Sequence, residues 1–434
     1  MQVIADFHIH SRYSRATSSE MGIEEISRNG RLKGLQLVGT GDFTHPSWLD
    51  EIRAKIGRNE TQAGSGVFEH SGMLWMLTSE VATIYTQDGR TRKVHHVLHA
   101  PSIEVVEQIN EALGKYGRLA SDGRPMLSGI TSPALVELLM QISKDILVYP
   151  AHAWTSWFGV VGEFSGFDSL EQCYLDQTKN VHALETGMSS DPAMNWRVPS
   201  MDRFTILSNS DSHSPWPWRI GREANVFDIG ESRLSYAEIN DAIVSKDPKR
   251  LKFTIEVDPS YGKYHFTGHR ACGVSMGPED ARKVGNVCPV CGRKMTVGVA
   301  QRVEDVAGRP EGFVPEGAIP FKSLIPLYEI ISAALGVNQL YSKRVIGQQD
   351  ALIARFGSEL DVLLNAPEED MHAATEAKIA DAIMRIRKGD VKYVPGYDGV
   401  YGAPVFSEED YERARAKLAG KANKQRSLSD FRVA

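Results

Sequence analysis

The chain has 434 residues, with 55 Asp+Glu against 49 Lys+Arg, a formal net charge of -6, 42% hydrophobic residues and 24% charged residues. That composition belongs to ordinary globular proteins of two or three domains, and it speaks against a protein that coats nucleic acid non-specifically. No apolar run reaches the roughly 18 residues of a membrane span, four cysteines make no disulfide scaffold, and MQVIADFHIH lacks the regions of a signal peptide, so a cytoplasmic protein is expected.

Residues 1–255 alternate short apolar β-type runs with helix-type segments. The runs are QVIADF, LQLVGT, GMLWMLTSEV, RKVHHVLHA, DILVYPAH, VHALETG and FTILSNSD; SPALVELLMQISKD is an example of the helical spacing between them. The rhythm predicts an α/β domain with a mainly parallel sheet, open or closed into a barrel. Residues 256–308 are rich in Gly, His and Cys, as small metal-stapled modules are. From Pro315 onward the pattern is helical, in IPLYEIISAALG, SKRVIGQQDALIARFG, TEAKIADAIMRIRKG and SEEDYERARAKLAGKANKQ. It predicts a helical C-terminal domain over 309–424, with Gly336, Gly357 and Gly389 placed as C-caps. A short tail, 425–434, follows.

Histidines and acids gather at the ends of the predicted strands. His8 and His10 lie in DFHIH, and residues i and i+2 of a strand share a face. Asp42 follows LQLVGTG, Glu80 follows MLWMLTS, His95 and His96 lie in KVHHVLHA, and His152 follows ILVYPA. Glu185 follows VHAL, and Asp211 and His213 lie in SDSH. In a parallel βα architecture such ends converge on one rim, where sites are built. Imidazole and carboxylate ligands suit Zn²⁺, Mn²⁺ or Fe²⁺, and more ligands than one ion needs imply two or three ions. A carboxylate such as Glu80 can bridge a pair, and closely spaced ions clamp an in-line displacement at phosphorus. The expectation is a multi-metal phosphoesterase.

HIHSRYS, TGD, SEV, VHH, YPAH and SDSH resemble the ordered motifs of the polymerase-and-histidinol-phosphatase (PHP) family. The resemblance implies a distorted seven-stranded βα barrel holding two or three divalent ions (Zn, Mn or Mg). It implies His8, His10, Asp42, Glu80, His95, His152, Asp211 and His213 as ligands, with Asp211, Glu80 and His152 at the reacting centre. His96 remains the alternative to His95. Two departures bear on a third ion: Ser14-Arg15-Ala16 stands where many members have an acid or histidine, and Phe43 replaces a histidine after Asp42.

His269-x2-Cys272, fifteen residues, then Cys288-x2-Cys291 is the spacing of a ribbon-like structural zinc site. His265 is an alternative to His269. Cys173 stands apart and reads as core.

KYHFTGHRACGVSMGPED, CPVCGRKMTVGVAQRVEDVAGRPEG, PLYEIISAALG, RFGSELDVLLNAP and PGYDGVYG follow the barrel motifs in order. The whole arrangement resembles the endonuclease Q family of DNA repair nucleases. That resemblance implies cleavage of the phosphodiester 5′ to deoxyuridine, deoxyinosine, xanthine and abasic sites, leaving 3′-hydroxyl and 5′-phosphate ends on damaged DNA. Extruding a weakly paired damaged base costs less than extruding a normal one. Trp154, Trp157, Trp216, Trp218 and Arg219, just after predicted ligands, are candidates for the lesion contact. The competing readings are a phosphatase acting on a small phosphomonoester and a scaffold whose metals are structural.

The last predicted helix opens with SEED at Ser407, a capping-box-like start. YERARAKLAGKANKQR then carries six basic residues against one acid. The spacing of Gln425, Leu428 and Phe431 resembles the peptide by which repair proteins dock on the sliding clamp (PCNA). Leu428 and Phe431 at i and i+3 share one side of a helical turn, where they anchor in an apolar pocket. Arg432 stands where that peptide has a second aromatic.

Overall fold

The structure is a computed structural model that describes residues 1–406 except 231–232, 338 and 340–341, together with 409, 411–414 and 416. In chain order its first strands are β1 (Gln2–Asp6), β2 (Leu37–Gly39), β3 (Phe68–His70), β4 (Met73–Gln87), β5 (Arg90–Ala100) and β6 (Met126–Ser128). Then come β7 (Leu147–Pro150), β8 (Ala183–Glu185), β9 (Thr205–Leu207), β10 (Ala224–Asp228) and β11 (Leu251–Glu256). The main sheet runs β11-β10-β1-β2-β4-β5-β7, with β3 and β6 also paired to β4. β8 and β9 form a separate parallel ladder. Ile9, just past β1, bridges Ser212, just past β9.

The sheet curls, and its packing shows how. Adjacent strand residues point to opposite faces. Phe7, Leu37, Met76, Val97, Tyr149 and Leu207 meet in one buried cluster inside the curl. Their neighbours Val38, Trp75, Leu98, Val148 and Ile206 join a second cluster under the helices. The helices Ile23–Lys33, Pro46–Lys55, Ile103–Leu113 and Ser132–Ile142 bury Ile26, Ile52, Ile109 and Leu135 there. Thr131 caps the last of them, accepting the amide of Ala134 at 3.3 Å.

The sheet is more mixed than the βα rhythm predicts. β1–β2 and β2–β4 are parallel, but β4–β5, β5–β7, β1–β10 and β10–β11 are antiparallel. The runs GMLWMLTSEV and RKVHHVLHA are two arms of one long hairpin, turning at Asp88-Gly89 with φ 52° and 71°. Left-handed backbone at both turn residues matches the twist of the arms, and Asp-Gly is the pair that adopts it most readily.

Beyond β11 lies a small unit made of β12 (Thr267–His269), β13 (Val274–Met276) and the helices Pro278–Lys283 and Val299–Val306. β14 (Phe321–Ser323) then returns to the main sheet, parallel to β11. The helices Leu327–Ala334, Lys343–Phe356, Glu359–Leu364, Glu368–Ala374 and Ala377–Arg387 follow. Gly336, Gly357 and Gly389 close helices in left-handed backbone, as expected. β14 and the hairpin of β15 (Lys392–Val394) and β16 (Ala403–Val405) are strands in a region predicted helical. The loop of that hairpin folds back onto the small unit: Asp398 accepts the Arg270 amide at 2.6 Å and the Thr296 hydroxyl at 2.7 Å. A buried Lys33–Glu359 pair at 2.7 Å ties the helical region to the helix Ile23–Lys33 beside the curled sheet. Among the described residues no helix is long and apolar enough to cross a membrane. The start of the last predicted helix at Ser407 and the tail with Gln425, Leu428 and Phe431 lie outside the described residues.

Candidate metal centre

The strand ends bring the predicted ligands into two groups that share one carboxylate. His8, His10, Glu80 and Asp211 offer ligand atoms all within 4.8 Å of one another, and so do Glu80, His95 and His152. Glu80 Oε2 lies 3.3 Å from His10 Nε2 and 3.5 Å from His8 Nε2. Glu80 Oε1 lies 2.6 Å from His95 Nδ1 and 3.1 Å from His152 Nε2. Asp211 Oδ1 adds contacts of 3.0 Å to His10 Nε2 and 3.6 Å to His8 Nε2. One oxygen of Glu80 thus serves each group, the geometry a bridging carboxylate needs.

Each of three imidazoles is turned by a partner on its other nitrogen. Glu185 takes His8 Nδ1 at 2.9 Å, Asp42 takes His10 Nδ1 at 2.9 Å, and Thr155 Oγ1 meets His152 Nδ1 at 2.7 Å. Such outer partners fix ring orientation and raise ligand basicity. Asp42, His152 and Asp211 adopt φ of 48°, 29° and 46°. Left-handed backbone at three non-glycine site residues is strain the surrounding fold sustains, and it turns each side chain off its strand end.

The donor set fits divalent cations. His8 Nε2 is buried with no hydrogen-bond partner, although two carboxylates stand at 3.5 and 3.6 Å. Burial works to lower the pKa of His8 and His10. Glu185, Glu80 and Asp211 around His8, and Asp42, Asp211 and Glu80 around His10, nevertheless hold both well above the ordinary value. The pocket is therefore deficient in positive charge. Burial pushes His95 down to about 4, which leaves it neutral and able to coordinate.

Several expected residues sit elsewhere. Asp42, expected as a ligand, lies behind His10; its other oxygen accepts the Ser11 amide at 2.6 Å, the Ser11 hydroxyl at 2.7 Å and the Ser14 hydroxyl at 2.9 Å. His213 stands beside the first group with its ring 4.4 Å from that of His10, and its Nδ1 is held by the Asp211 carbonyl at 2.9 Å. His96 points away, bonded to the Tyr174 hydroxyl at 2.9 Å. Trp154, a candidate for the lesion contact, is fully buried with its indole N–H on Asn195 at 2.8 Å. It offers no face to a base and belongs to the core. Trp218 is largely buried against Tyr328 and stacks on Trp216. Trp157 is 44% exposed and stacks on the equally exposed Phe164. Phe158, next to it, packs on the His95 ring at 4.3 Å. Arg219 lies on the same loop as Trp216 and Trp218 and is partly buried. Sequence reasoning missed Arg124, whose guanidinium lies 3.1 Å from Glu80 Oε2; a lone arginine in a loop carries no motif.

A third group is local. His269, Cys272, Cys288 and Cys291 offer ligand atoms within 4.8 Å of one another. Burial raises the Cys288 thiol, but the amides of Cys291 and Val290 donate to its sulfur and bring it down to about 7. Three thiols and one imidazole are the donors of a closed zinc site. His265 is partly buried outside this group, stacked on Phe266. Cys173 is core.

Comparison with known proteins bears on the whole chain. A solved structure described as the lesion-specific endonuclease PfuEndoQ from Pyrococcus furiosus superposes with a TM-score of 0.83 at 33% identity, covering 99% of this chain and 98% of that one. An endonuclease Q complex with a 27-mer duplex carrying an abasic lesion at its active site gives 0.83 at 32% identity, covering 100% of both chains. The uncharacterized protein MJ0043 of Methanocaldococcus jannaschii is 32% identical over 271 residues, 62% of this chain, which thus matches 33% of that relative's length. The uncharacterized protein YqxK of Bacillus subtilis is 26% identical over 417 residues, 92% of this chain and 98% of that one. A family model, the MJ0043 C-terminal domain, matches residues 326–390.

Proposed function

The chain belongs to the endonuclease Q family, and we propose on that premise that it is a metal-dependent endonuclease that nicks DNA at lesions. The observation that carries the reading is the pair of ligand groups joined at Glu80. Their fit to cations rests on the partnerless His8 Nε2 and the deficit of positive charge around it. Divalent ions held by His8, His10, Glu80 and Asp211, and by Glu80, His95 and His152, would supply the Lewis acidity for phosphodiester hydrolysis. The chain's own part is orientation. Glu185 and Asp42 aim the rings of His8 and His10, and Thr155 aims His152. The curled sheet is then the PHP-type barrel, and His269, Cys272, Cys288 and Cys291 hold one structural zinc.

The substrate is DNA with a deaminated base (deoxyuridine, deoxyinosine or xanthine) or an abasic site, cut on its 5′ side to leave 3′-hydroxyl and 5′-phosphate ends. The exposed Trp157–Phe164 stack, next in sequence to the Phe158 that packs on His95, suits an unstacked base. Trp216 and Arg219 flank the loop after Asp211. The tail residues Gln425, Leu428 and Phe431 carry the spacing of a sliding-clamp peptide, and removal of 425–434 should abolish clamp binding while nicking continues.

The test is an incubation with Mg²⁺ or Mn²⁺ and duplexes carrying one deoxyuridine, deoxyinosine or abasic site, beside p-nitrophenyl phosphate. A nick 5′ to the lesion supports the reading. Turnover of the small ester alone would instead mark a phosphomonoesterase, and silence on both at full metal occupancy a scaffold.

A further inference from the structure

Arg124 brings a fixed positive charge to the carboxylate that the two ligand groups share. Its Nη1 donates to Glu80 Oε2 at 3.1 Å. That same oxygen faces His10 Nε2 at 3.3 Å and His8 Nε2 at 3.5 Å in the four-residue group. A guanidinium stays charged at every working pH and cannot ligate a metal. Glu80 lies between the guanidinium and the ligand groups, and a further anion lying against both would complete the charge balance once ions are bound. Its side chain is 26% exposed, so it is reachable from outside. Its other guanidinium N–H groups have no protein acceptor among the described residues.

The backbone that carries it is tightly fixed. Asp122 accepts the amides of Arg124 at 3.3 Å and Arg15 at 3.2 Å. The Gly123 amide donates to the Tyr13 carbonyl at 3.0 Å, and the Thr44 hydroxyl donates to the Gly123 carbonyl at 3.0 Å. The Ala82 amide donates to the Pro125 carbonyl at 3.0 Å, one turn of the pleat beyond Glu80. Gly123 comes so close that a Cβ there would lie 2.2 Å from Asp42 Oδ2 and 2.3 Å from Ser14 Oγ. The loop is thereby bolted to the turn that follows His10.

We propose that Arg124 is the phosphate anchor of this site: its guanidinium holds a non-bridging oxygen of the scissile phosphodiester. The inference rests on the DNA-nicking reading above and adds the residue that recognises the reacting phosphate. Arg15, whose amide shares Asp122, steadies the same pair of loops.

The test is a double-substitution binding cycle on the full-length protein as purified, with no Mg²⁺ or Mn²⁺ added so that the strand stays intact and the cysteine module keeps its zinc, then repeated with Ca²⁺. Wild type, Arg124→Ala and Arg124→Lys are titrated with a lesion duplex carrying either the normal scissile phosphate or a neutral methylphosphonate. The methylphosphonate is expected to weaken wild-type binding about 10-fold or more, the scale of one charge-assisted hydrogen bond. Arg124→Ala should bind the normal duplex equally weakly and lose nothing further with the methylphosphonate, with Arg124→Lys between the two. If Arg124→Ala still loses the full increment with the methylphosphonate, or wild type loses none, the inference is overturned. Metal content measured on each variant separates a residue that only orients Glu80: reduced metal with the methylphosphonate loss retained overturns the proposal. A wild type with no preference for lesion over undamaged duplex would overturn the nicking reading, and this inference with it.

Discussion

The metal rim and the cysteine module are built in opposite ways. The rim draws His8, His10, Glu80, His95, His152 and Asp211 from strand ends spread over two hundred residues, all buried except Asp211, which is partly exposed. The module draws four ligands from His269 to Cys291, and its apolar core is only Ala281, Cys288 and Met295, with three partly buried neighbours. At the rim a large hydrophobic fold brings the donors together, so an ion would meet a site already formed. In the module the core is small, so an ion held by its four donors would supply much of the folding energy. The first arrangement leaves donors free for chemistry; the second closes them.

The contrast can be broken or sharpened at four places. The largest effect is expected from Cys288→Ser. It should release one equivalent of zinc per chain and remove amide-exchange protection from residues 267–298, since structural zinc contributes on the order of 10 kcal/mol to such units. Protection that survives would place the module with the self-supporting folds. Next comes Asp211→Asn at the rim. Nicking should fall on the order of 10³-fold while the thermal transition stays put; a large drop in Tm would show that the rim, too, is held together by its ligands. Asp42→Asn should lower activity by about 10–100-fold with unchanged metal count by elemental analysis, because Asp42 orients His10. Loss of one metal equivalent would make Asp42 a ligand after all.

The smallest effect lies beneath the rim, at Glu256. Burial holds its carboxyl up at about 8, against an ordinary value of 4.5, and burial together with Glu256 raises the nearby Glu223 as well. As pH rises from 4.5 the unfolded chain sheds this proton while the native carboxyl keeps it. Stability therefore falls between 4.5 and about 8 and levels off above. Glu256→Gln should flatten that part of the pH–Tm curve and raise Tm at pH 8 by a few degrees. An unchanged slope would assign the pH dependence to other groups.

Much of the fold was legible where a local rule governs it. The helix Ser132–Ile142 and the glycine closures at 336, 357 and 389 appear where spacing and caps put them. The Asp88-Gly89 hairpin was equally legible, and the parallel reading passed over it. β14 and the β15–β16 hairpin were not, because three-residue strands carry no periodicity and form through partners elsewhere.

By itself the sequence determined the inventory of donors and their local spacing: the His-x-His pair, the strand-end acids, and His269-x2-Cys272 with Cys288-x2-Cys291. Ligand chemistry belongs to residue types, and short spacings survive any fold that keeps them local. Tertiary structure alone decided which atoms face one another. The register Ala82↔His95 and Val81↔His96 turns His95 toward Glu80 and sends His96 to Tyr174. Packing places Asp42 behind His10, encloses Trp154 against Asn195, and brings Arg124 to Glu80. Each of these contacts joins residues from different elements, and their meeting is set by sheet register and core packing, which no local pattern encodes.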